Sequence, residues 1–465
     1  MTIEADAGLR ERALGARPSD SAERRELTAE SGSLYLALMS SSTNLLDELE
    51  WRGLLYQHTE GAAEALAAGP LAAYCGFDPT ADSLHVGNLV PVMGLVHLQR
   101  AGHRPVALVG GGTGMIGDPS GKATERQLTT RETVAENARR IGVQLGRFLD
   151  FSGPRGALMR DNAEWLLSLG AVEFMRDVGK HFTVNFMLAK ESVRSRMETG
   201  ISYTEFSYML LQAYDFVELC RRDGVTLQLG GSDQWGNITA GTELVHRTLG
   251  RQAHGVTMPL VTTAAGTKFG KTEAGAVWLD PEKTTPYRFY QFWVNADDRD
   301  VSRYLCYFTL LPRDEIERLE RAAAEHPERR EAQQALAAEV TTRVHGEAAA
   351  RVSRELSGLL FGGGGDPSAL GAEAFEALRR EVPFVEVAAP DAPGLDPLDL
   401  LVATGLVASR GAAKRLLEQG GVYVNGRRVA GADRFVDGGQ LLAGGHVLLR
   451  KGARDYALAR VGGAA

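Results

Sequence analysis

The sequence predicts a doubly wound α/β unit on a parallel sheet, then a helical unit and a small basic α+β module. Three observations carry this. Between residues 70 and 260, short apolar runs alternate with helical stretches, the pattern of strand–helix–strand crossovers. From Pro286 to about residue 359, strand signals give way to Glu/Arg/Ala-rich amphipathic periodicity, as in Arg313–Glu325 and 329–344. The chain carries a net charge of −8, yet residues 397–465 hold ten Lys/Arg against five Asp/Glu, leaving the rest at −13.

A length of 465 residues, 44% hydrophobic and 24% charged, is that of a globular chain of roughly two to four domains. No apolar run reaches the roughly 18 residues that a membrane-spanning helix needs. Three widely spaced cysteines, Cys75, Cys220 and Cys306, argue against a disulfide framework or zinc site and for a cytoplasmic setting. Residues 1–38 lack an apolar periodicity and read as a disordered extension, with Met39 as an alternative translation start. The first helix begins at Thr43 or Asn44 and runs through Leu45, Leu46, Leu49 and Leu54.

The expected strands are 71–74, 106–109, 157–160 and 226–229; the helices are 89–101, 131–149, 203–220 and 237–249. In such sheets ligands collect at the carboxyl ends of strands, and the polar motifs follow strand ends. After the first strand come Tyr74-Cys75-Gly76-Phe77-Asp78-Pro79-Thr80 and His85-Val86-Gly87-Asn88. A strand, a polar turn and a helix start offer backbone N–H groups to phosphate, and Gly87 lets a ligand approach the backbone. The run from Gly110 to Lys122 contains GxGxxG by letter, but Asp118-Pro119-Ser120-Gly121 interrupts the helix a dinucleotide fingerprint requires, and a P-loop fails at Ile116 and Ala123. It is kept as a glycine loop offering Asp118, Lys122 and Arg126.

On the 203–220 helix, Tyr208, Gln212 and Asp215 form one stripe at i, i+4 and i+7, suited to the wall of a polar pocket. Gly230-Gly231-Ser232-Asp233-Gln234 follows the 226–229 strand, where Asp233 is placed to accept from a ribose hydroxyl. Lys268-Phe269-Gly270-Lys271-Thr272 sets two lysines three apart on a glycine-hinged loop, suited to charge developing on a departing pyrophosphate. Glycines 362–365 and Pro383, Pro390 and Pro393 mark a linker. Helices at 398–404 and 409–419 and strands at 422–424 and 446–449 form the last module. There Arg410, Lys414, Arg415 and Arg427 suit contact with the backbone of structured RNA.

Together, in order and register, these motifs resemble the bacterial tyrosyl-tRNA synthetases, a family of class I aminoacyl-tRNA synthetases. The resemblance covers about residues 40–460, with His85-Val86-Gly87-Asn88 and Lys268–Thr272 standing at the two class signatures and the end similar to an S4 RNA-binding domain. It implies a Rossmann-like catalytic domain at 39–262, a mobile loop and α-helical domain at 263–360, a linker at 361–396 and the S4-like domain at 397–465. It implies tyrosine and ATP as substrates, magnesium arriving with ATP, no protein-held metal, tRNA as partner, and a homodimer.

Carried over by position, Tyr74 and Asp215 read the substrate phenol, and Asp118, Tyr208 and Gln212 hold its ammonium group. Gln234 lies by the reacting carboxylate. Cys75, Gly231 and Asp233 meet the ribose, and Gly76, Asp78, Gly87 and Lys271 complete the ATP set. Thr80, His85, Lys268, Lys271 and Thr272 stabilise pyrophosphate, with Lys122 and Arg126 as helpers, and Asn88 donates to a sugar oxygen. Asn88 replaces a second histidine common in the superfamily, and Phe269-Gly270 replaces Met-Ser. The rival readings are a tryptophanyl sibling, another HxGN-type adenylyltransferase and a non-catalytic RNA-binding paralogue.

Overall fold

Why the catalytic unit winds both ways follows from where its apolar residues fall. In the computed structural model, which describes residues 44–120, 129–194, 196–197, 200–267, 269–272, 275–361, 365–388, 394–429 and 436–462, a six-stranded sheet has the order β1-β6-β5-β2-β3-β4. Its strands are β1 (Gln57–His58), β2 (Ala72–Phe77), β3 (Arg104–Val109), β4 (Leu158–Asp161), β5 (Val225–Gly231) and β6 (His254–Met258). All neighbours are parallel except the β1 edge, which pairs antiparallel with β6. After the edge strand β1, the parallel part starts in the middle at β2, builds outward to β4, then returns to β5 on the other side. The crevice between the carboxyl ends of β2 and β5 is therefore the topological switch point.

Helices α1 (Leu45–Trp51), α2 (Leu89–Arg100) and α3 (Arg131–Leu145) pack into one apolar cluster with one sheet face; α4 (Tyr203–Asp223) and α5 (Trp235–Leu249) pack with the other. The alternation of β2 follows: Ala73 and Cys75 join the first cluster, Ala72 and Tyr74 the second. Helix α2 is buried nearly all round because the helical unit covers the side away from the sheet. Ser202 caps α4, its Oγ accepting from the Glu205 N–H at 3.2 Å, and Gly224 ends the helix in the left-handed region at φ 69°.

The helical unit comprises α6 (Pro286–Val294), α7 (Asp298–Phe308), α8 (Arg313–Glu325), α9 (Glu331–His345) and α10 (Glu347–Phe361). The buried Arg52 guanidinium ties α1 to it, donating to the Cys306 and Thr309 carbonyls at 3.1 Å each and to Leu311 O at 3.0 Å, at the end of α7.

The last sheet has the order β11-β10-β12-β13-β9, from β9 (Phe384–Ala388), β10 (Val422–Val424), β11 (Arg427–Arg428), β12 (His446–Lys451) and β13 (Asp455–Gly462). The segment 361–396, expected as a linker, instead contains α11 (Ala372–Leu378) and β9, which runs parallel to β13. Phe375 and Leu378 are buried with Leu356 of α10 and Leu448 and Leu458 of the sheet, and this apolar contact outweighs the proline signal. The other sheet face packs on α12 (Pro397–Ala403) and α13 (Arg410–Glu418). The expectations for residues 1–38 and for Lys122, Arg126 and Lys268 lie outside the described residues; of Lys271 and Thr272 the backbone is described.

Candidate active site

Four strand ends and helix α4 converge on the switch point. Asp215 is 2% exposed. One of its carboxylate oxygens accepts from Trp165 Nε1 at 2.7 Å, the other from Asn162 Nδ2 at 2.9 Å. Asn162 follows β4, and its own Oδ1 accepts from the Gly112 N–H at 2.7 Å after β3. The network continues through Thr113, whose Oγ1 accepts from Asn162 at 2.9 Å and donates to Asp78 Oδ1 at 2.7 Å. The second oxygen of Asp78 accepts from Tyr208 Oη at 2.7 Å. Three loops are thus stitched to α4 through two carboxylates.

Burial sets the protonation of this pocket. It pushes the Asp215 carboxyl up to about 8, against the lowering effect of its two donors. Burial, and then the Asp215 charge, push the Tyr74 phenol well above its usual range, so it stays a neutral donor. Tyr208 is raised in the same way, by burial and then by Asp78 and Asp118. The Tyr74 ring meets Phe216 edge-on at 5.2 Å, and its Oη is buried with no hydrogen-bond partner among the described residues.

A second cluster lies after β5. Asn237 donates to Gln212 Oε1 at 3.0 Å and Gln234 Oε1 at 3.2 Å, while Gln234 Nε2 donates to Asp118 Oδ2 at 2.6 Å. Asp118 Oδ1 accepts from the Ser120 N–H at 2.9 Å. The structure therefore brings Asp118, Gln212 and Gln234 together, and links Tyr208 to Asp78 by hydrogen bond. Asp233 and Gly231 sit in the turn that ends β5. Cys75 does not join either cluster: its thiol is buried on the other sheet face and burial pushes it to about 12. Its neighbour Gly76 is exposed, as is Thr80, whose N–H donates to Asp78 O at 2.8 Å.

The signature turn is a reciprocal cap. His85 Nδ1 accepts from the Gly87 N–H, and Asn88 Oδ1 accepts from the His85 N–H, both at 3.0 Å. Accepting at Nδ1 fixes the ring proton on Nε2, making that edge the donor. The ring folds over Gly87 so closely that a Cβ there would stand 2.7 Å from His85 Cε1. Asn88 earns its place here as the acceptor that closes the cap.

The second signature is strapped onto the first. Val86 N donates to Val277 O at 2.9 Å, Leu279 N to Leu84 O at 2.8 Å, and Val277 N to Gly270 O at 3.0 Å. Gly270 has φ 78°, and a Cβ there would meet Val86 Cγ2 at 2.6 Å. Phe269 explains the departure from Met-Ser: it is buried in an aromatic cluster, stacked on Phe308 at 5.3 Å and beside Tyr304 at 5.0 Å. Lys271 and Thr272 pair with Ala276 and Gly275 in a short antiparallel ladder.

In the C-terminal unit Lys414, Arg415 and Arg427 are exposed. Arg410 is engaged differently: its guanidinium meets Asp396 at 2.7 Å and also Asp399. The residues that sequence reasoning missed are Asn162, Trp165, Thr113 and Asn237. The first two follow a strand end, and extending the 157–160 strand by one residue to Asp161 marks Asn162 by the same rule as the other motifs.

Comparison with known proteins matches residues 66–362 to the family of class I tRNA synthetases (W and Y), and residues 374–459 to the SYY-like C-terminal domain of tyrosine–tRNA ligase. The tyrosine–tRNA ligase of Roseiflexus castenholzii is 54% identical over 424 residues, covering 90% of this chain and 100% of that protein. That of Geobacillus stearothermophilus is 52% identical over 421 residues, covering 90% and 99%. Among solved structures, a C-terminally truncated mitochondrial tyrosyl-tRNA synthetase of Aspergillus nidulans superposes with a TM-score of 0.62 at 29% identity, covering 73% of this chain and 99% of that one.

Proposed function

We infer the function from one premise: the chain belongs to the class I tRNA synthetases for tryptophan and tyrosine, and within them it is a tyrosine–tRNA ligase. It activates L-tyrosine with ATP to tyrosyl-AMP and pyrophosphate, then transfers the tyrosyl group to the 3′-terminal adenosine of its tRNA. Relatives at 52–54% identity over nine-tenths of the chain support this over the tryptophanyl and the non-catalytic readings.

The observation that carries our reading of the site is the buried pair Asp215 and Tyr74. The substrate phenol donates to Asp215 and accepts from Tyr74 Oη. Phenylalanine leaves the buried Tyr74 hydroxyl unpaired and brings no donor to the Asp215 carboxylate, which is costly in a dry pocket. Asp118, Tyr208 and Gln212 hold the ammonium group, with Asp78 orienting Tyr208. Gln234, anchored on Asp118, lies by the carboxylate that attacks the α-phosphate. Gly231 and Asp233 bind the ribose, with Gly76, Asp78 and Gly87 lining the ATP side.

An ionised carboxylate needs no general base to attack phosphorus, so positioning and electrostatics supply the rate. His85 Nε2–H, Thr80, Lys268, Lys271 and Thr272, with Lys122 and Arg126, stabilise the pyrophosphate as it leaves, and Asn88 donates from its amide to a sugar oxygen. Both oxygens of Asp78 and both of Asp118 already accept hydrogen bonds, so these carboxylates suit binding of organic substrates. Magnesium bound to the triphosphate would neutralise part of its charge.

Lys414, Arg415 and Arg427 serve as the phosphate-backbone contacts of the tRNA, Arg410 being held by Asp396. We propose a homodimer through the face between β4 and α4, where Val172 is 80%, Met175 58%, Val184 61% and Tyr203 72% exposed. Its setting is the cytoplasm, as the reduced cysteines suggest; among the described residues no helix is long and apolar enough to cross a membrane.

The test is amino-acid-dependent ATP–pyrophosphate exchange with tyrosine, phenylalanine and tryptophan, without tRNA. Exchange with tyrosine alone is expected. Exchange with tryptophan overturns the pocket assignment, and none with any of the three, from folded protein, overturns the activation chemistry.

A further inference from the structure

Helix α3 carries three polar side chains that no role above uses, and all three fasten the loop that leads to His85. Between β2, which ends at Phe77, and the turn at Val86–Asn88, residues 78–84 form neither strand nor helix. Asn137, Arg140 and Gln144 stand at i, i+3 and i+7, one stripe of α3. Asn137 Nδ2 donates to Pro79 O at 3.2 Å, and Arg140 meets Asp82 Oδ2 at 3.4 Å. Gln144 closes the series at Leu84: its Oε1 accepts from the Leu84 N–H at 2.8 Å, and its Nε2 donates to Ser83 Oγ at 2.9 Å. Ser83 Oγ in turn donates to Leu84 O at 2.7 Å, so the three residues form one closed ring of donors and acceptors.

Burial gives the ring its weight: Leu84, Ser83 and Gln144 are 2%, 4% and 9% exposed. A buried N–H needs an acceptor, and here a side-chain amide takes the part that a neighbouring strand would play. The carbonyl of Leu84 is held from another direction by the Leu279 N–H at 2.8 Å, and beyond His85 the Val86 N–H donates to Val277 O at 2.9 Å. The backbone is thus fixed on both sides of His85, whose ring is itself locked onto the Gly87 N–H. An apolar side chain of the same volume at position 144 would leave the Leu84 N–H unpaired, so the duty of the amide is to that peptide.

We propose that Gln144 is a positioning residue of the activation step: by pinning the Leu84 peptide it sets where the His85 imidazole presents its Nε2–H to the phosphates. The proposal rests on the reading of His85 as a donor to the departing pyrophosphate. Gln144 acts through the backbone of residues 83–85. Its effect is confined to the phosphate end, because Ala138, Ile141 and Leu145 of α3 pack in the apolar cluster on the sheet face opposite Tyr74 and Phe216. A displaced imidazole weakens a contact that counts for more as charge develops than in the bound substrates. The loss therefore falls on kcat and spares KM for tyrosine.

The experiment is steady-state ATP–pyrophosphate exchange by Gln144→Met, made once in the otherwise unaltered protein and once in a His85→Ala background, with kcat and KM for tyrosine measured in each. Methionine keeps the length of the side chain and removes the amide. With His85 present, kcat is expected to fall about tenfold, the weight of one buried hydrogen bond, with KM for tyrosine unchanged. In the His85→Ala background the same change is expected to cost less than about twofold, because the imidazole it positions is gone. Equal losses in the two backgrounds overturn the proposal, as does an unchanged kcat with His85 present or a loss carried by KM for tyrosine. Thermal unfolding of each variant separates a folding defect from a slower step. Ser83→Ala deletes only the hydroxyl between Gln144 and Leu84 O and carries the same comparison if Gln144→Met does not fold, with a fall of about threefold expected. If His85→Ala alone leaves kcat unchanged, the reading of His85 fails and the proposal falls with it, an outcome distinct from equal losses in the two backgrounds.

Discussion

Replacing Asp215 by asparagine is expected to stabilise the protein while destroying its choice of substrate. The carboxyl is displaced from its ordinary 3.8 to about 8 by burial. A raised acid favours the folded state only while protonated: its contribution is intact below the unfolded value near 4 and is lost as pH rises through 8. Above pH 8 the full displacement corresponds to about 6 kcal/mol of lost stability. Asparagine has nothing to ionise, but it presents one acceptor where Asn162 and Trp165 offer two donors. The donor left unpaired costs about 1–3 kcal/mol. The net gain for Asp215→Asn at pH 8.5 is then about 3 kcal/mol, or about 6–12 °C in Tm for a unit of 150–250 residues. Calorimetry of both proteins between pH 5 and 9 reads this directly. The gap in Tm should widen from pH 5 to 8 and then level off, while tyrosine-dependent exchange is lost. A gap that is constant with pH, or a variant less stable at pH 8.5, refutes the reasoning.

Trp165→Phe removes the donor to one Asp215 oxygen and keeps a ring in place. Tyrosine kcat/KM should fall about tenfold, and the acid limb of its pH profile should move to higher pH, since a donor that lowers the Asp215 carboxyl is gone. Gly270→Ala forces a Cβ into the left-handed region and against Val86, costing about 1–2 kcal/mol in backbone alone. Steady-state exchange should show kcat down about tenfold with KM for tyrosine unchanged, because the disturbed turn serves the pyrophosphate end. Arg52→Met strips three carbonyls of a buried donor. Thermal unfolding should report a loss of about 3 kcal/mol or more, with exchange at 25 °C close to that of the parent.

What the sequence made legible was whatever periodicity and strand-end chemistry encode. Helix Arg313–Glu325 lies where its amphipathic run begins and ends, and Tyr203–Asp223 starts at the expected residue. The stripe Tyr208, Gln212 and Asp215, expected as a pocket wall, faces inward: each side chain hydrogen-bonds to a residue on another element, Asp78, Asn237, and Asn162 with Trp165. Asn162 and Trp165 escaped because their value is tertiary: an ordinary Asn and Trp become important only when β4 delivers them to a carboxylate on α4. β9 escaped because Pro383 and Pro390 mask a strand whose partner, β13, lies about seventy residues further on. Phe269 read as a substitution in a mobile loop; only the helical unit, arriving later in the chain, supplies the aromatic cage that makes it an anchor.

The two halves of the site are held by different physics, and this follows from what each must do. The half assigned to tyrosine is buried and cross-linked through Asp215 and Asp78, with the Tyr74 hydroxyl left for a ligand, and selection there depends on unpaired groups being expensive. The half assigned to pyrophosphate is held by backbone ladders along residues 277–288, where Val277, Leu279 and Thr284 are buried and Glu282, Lys283 and Arg288 are exposed. That segment ties Leu84–Val86 to Gly270 on one side. On the other it reaches the C-terminal unit: Glu282 pairs with Arg380 at 3.1 Å, and Glu381 accepts from Arg288 at 2.8 Å and from Thr285. Between them Trp278 stands edge-on to His85 at 6.1 Å, with Lys283 above it at 5.3 Å and paired to Asp82 at 2.7 Å. Ladders and exposed ion pairs yield at low cost, whereas a buried carboxylate held by two donors does not. A catalyst that must admit a triphosphate, release pyrophosphate and then accept a tRNA end needs the first kind of fastening at its mouth and the second at its floor.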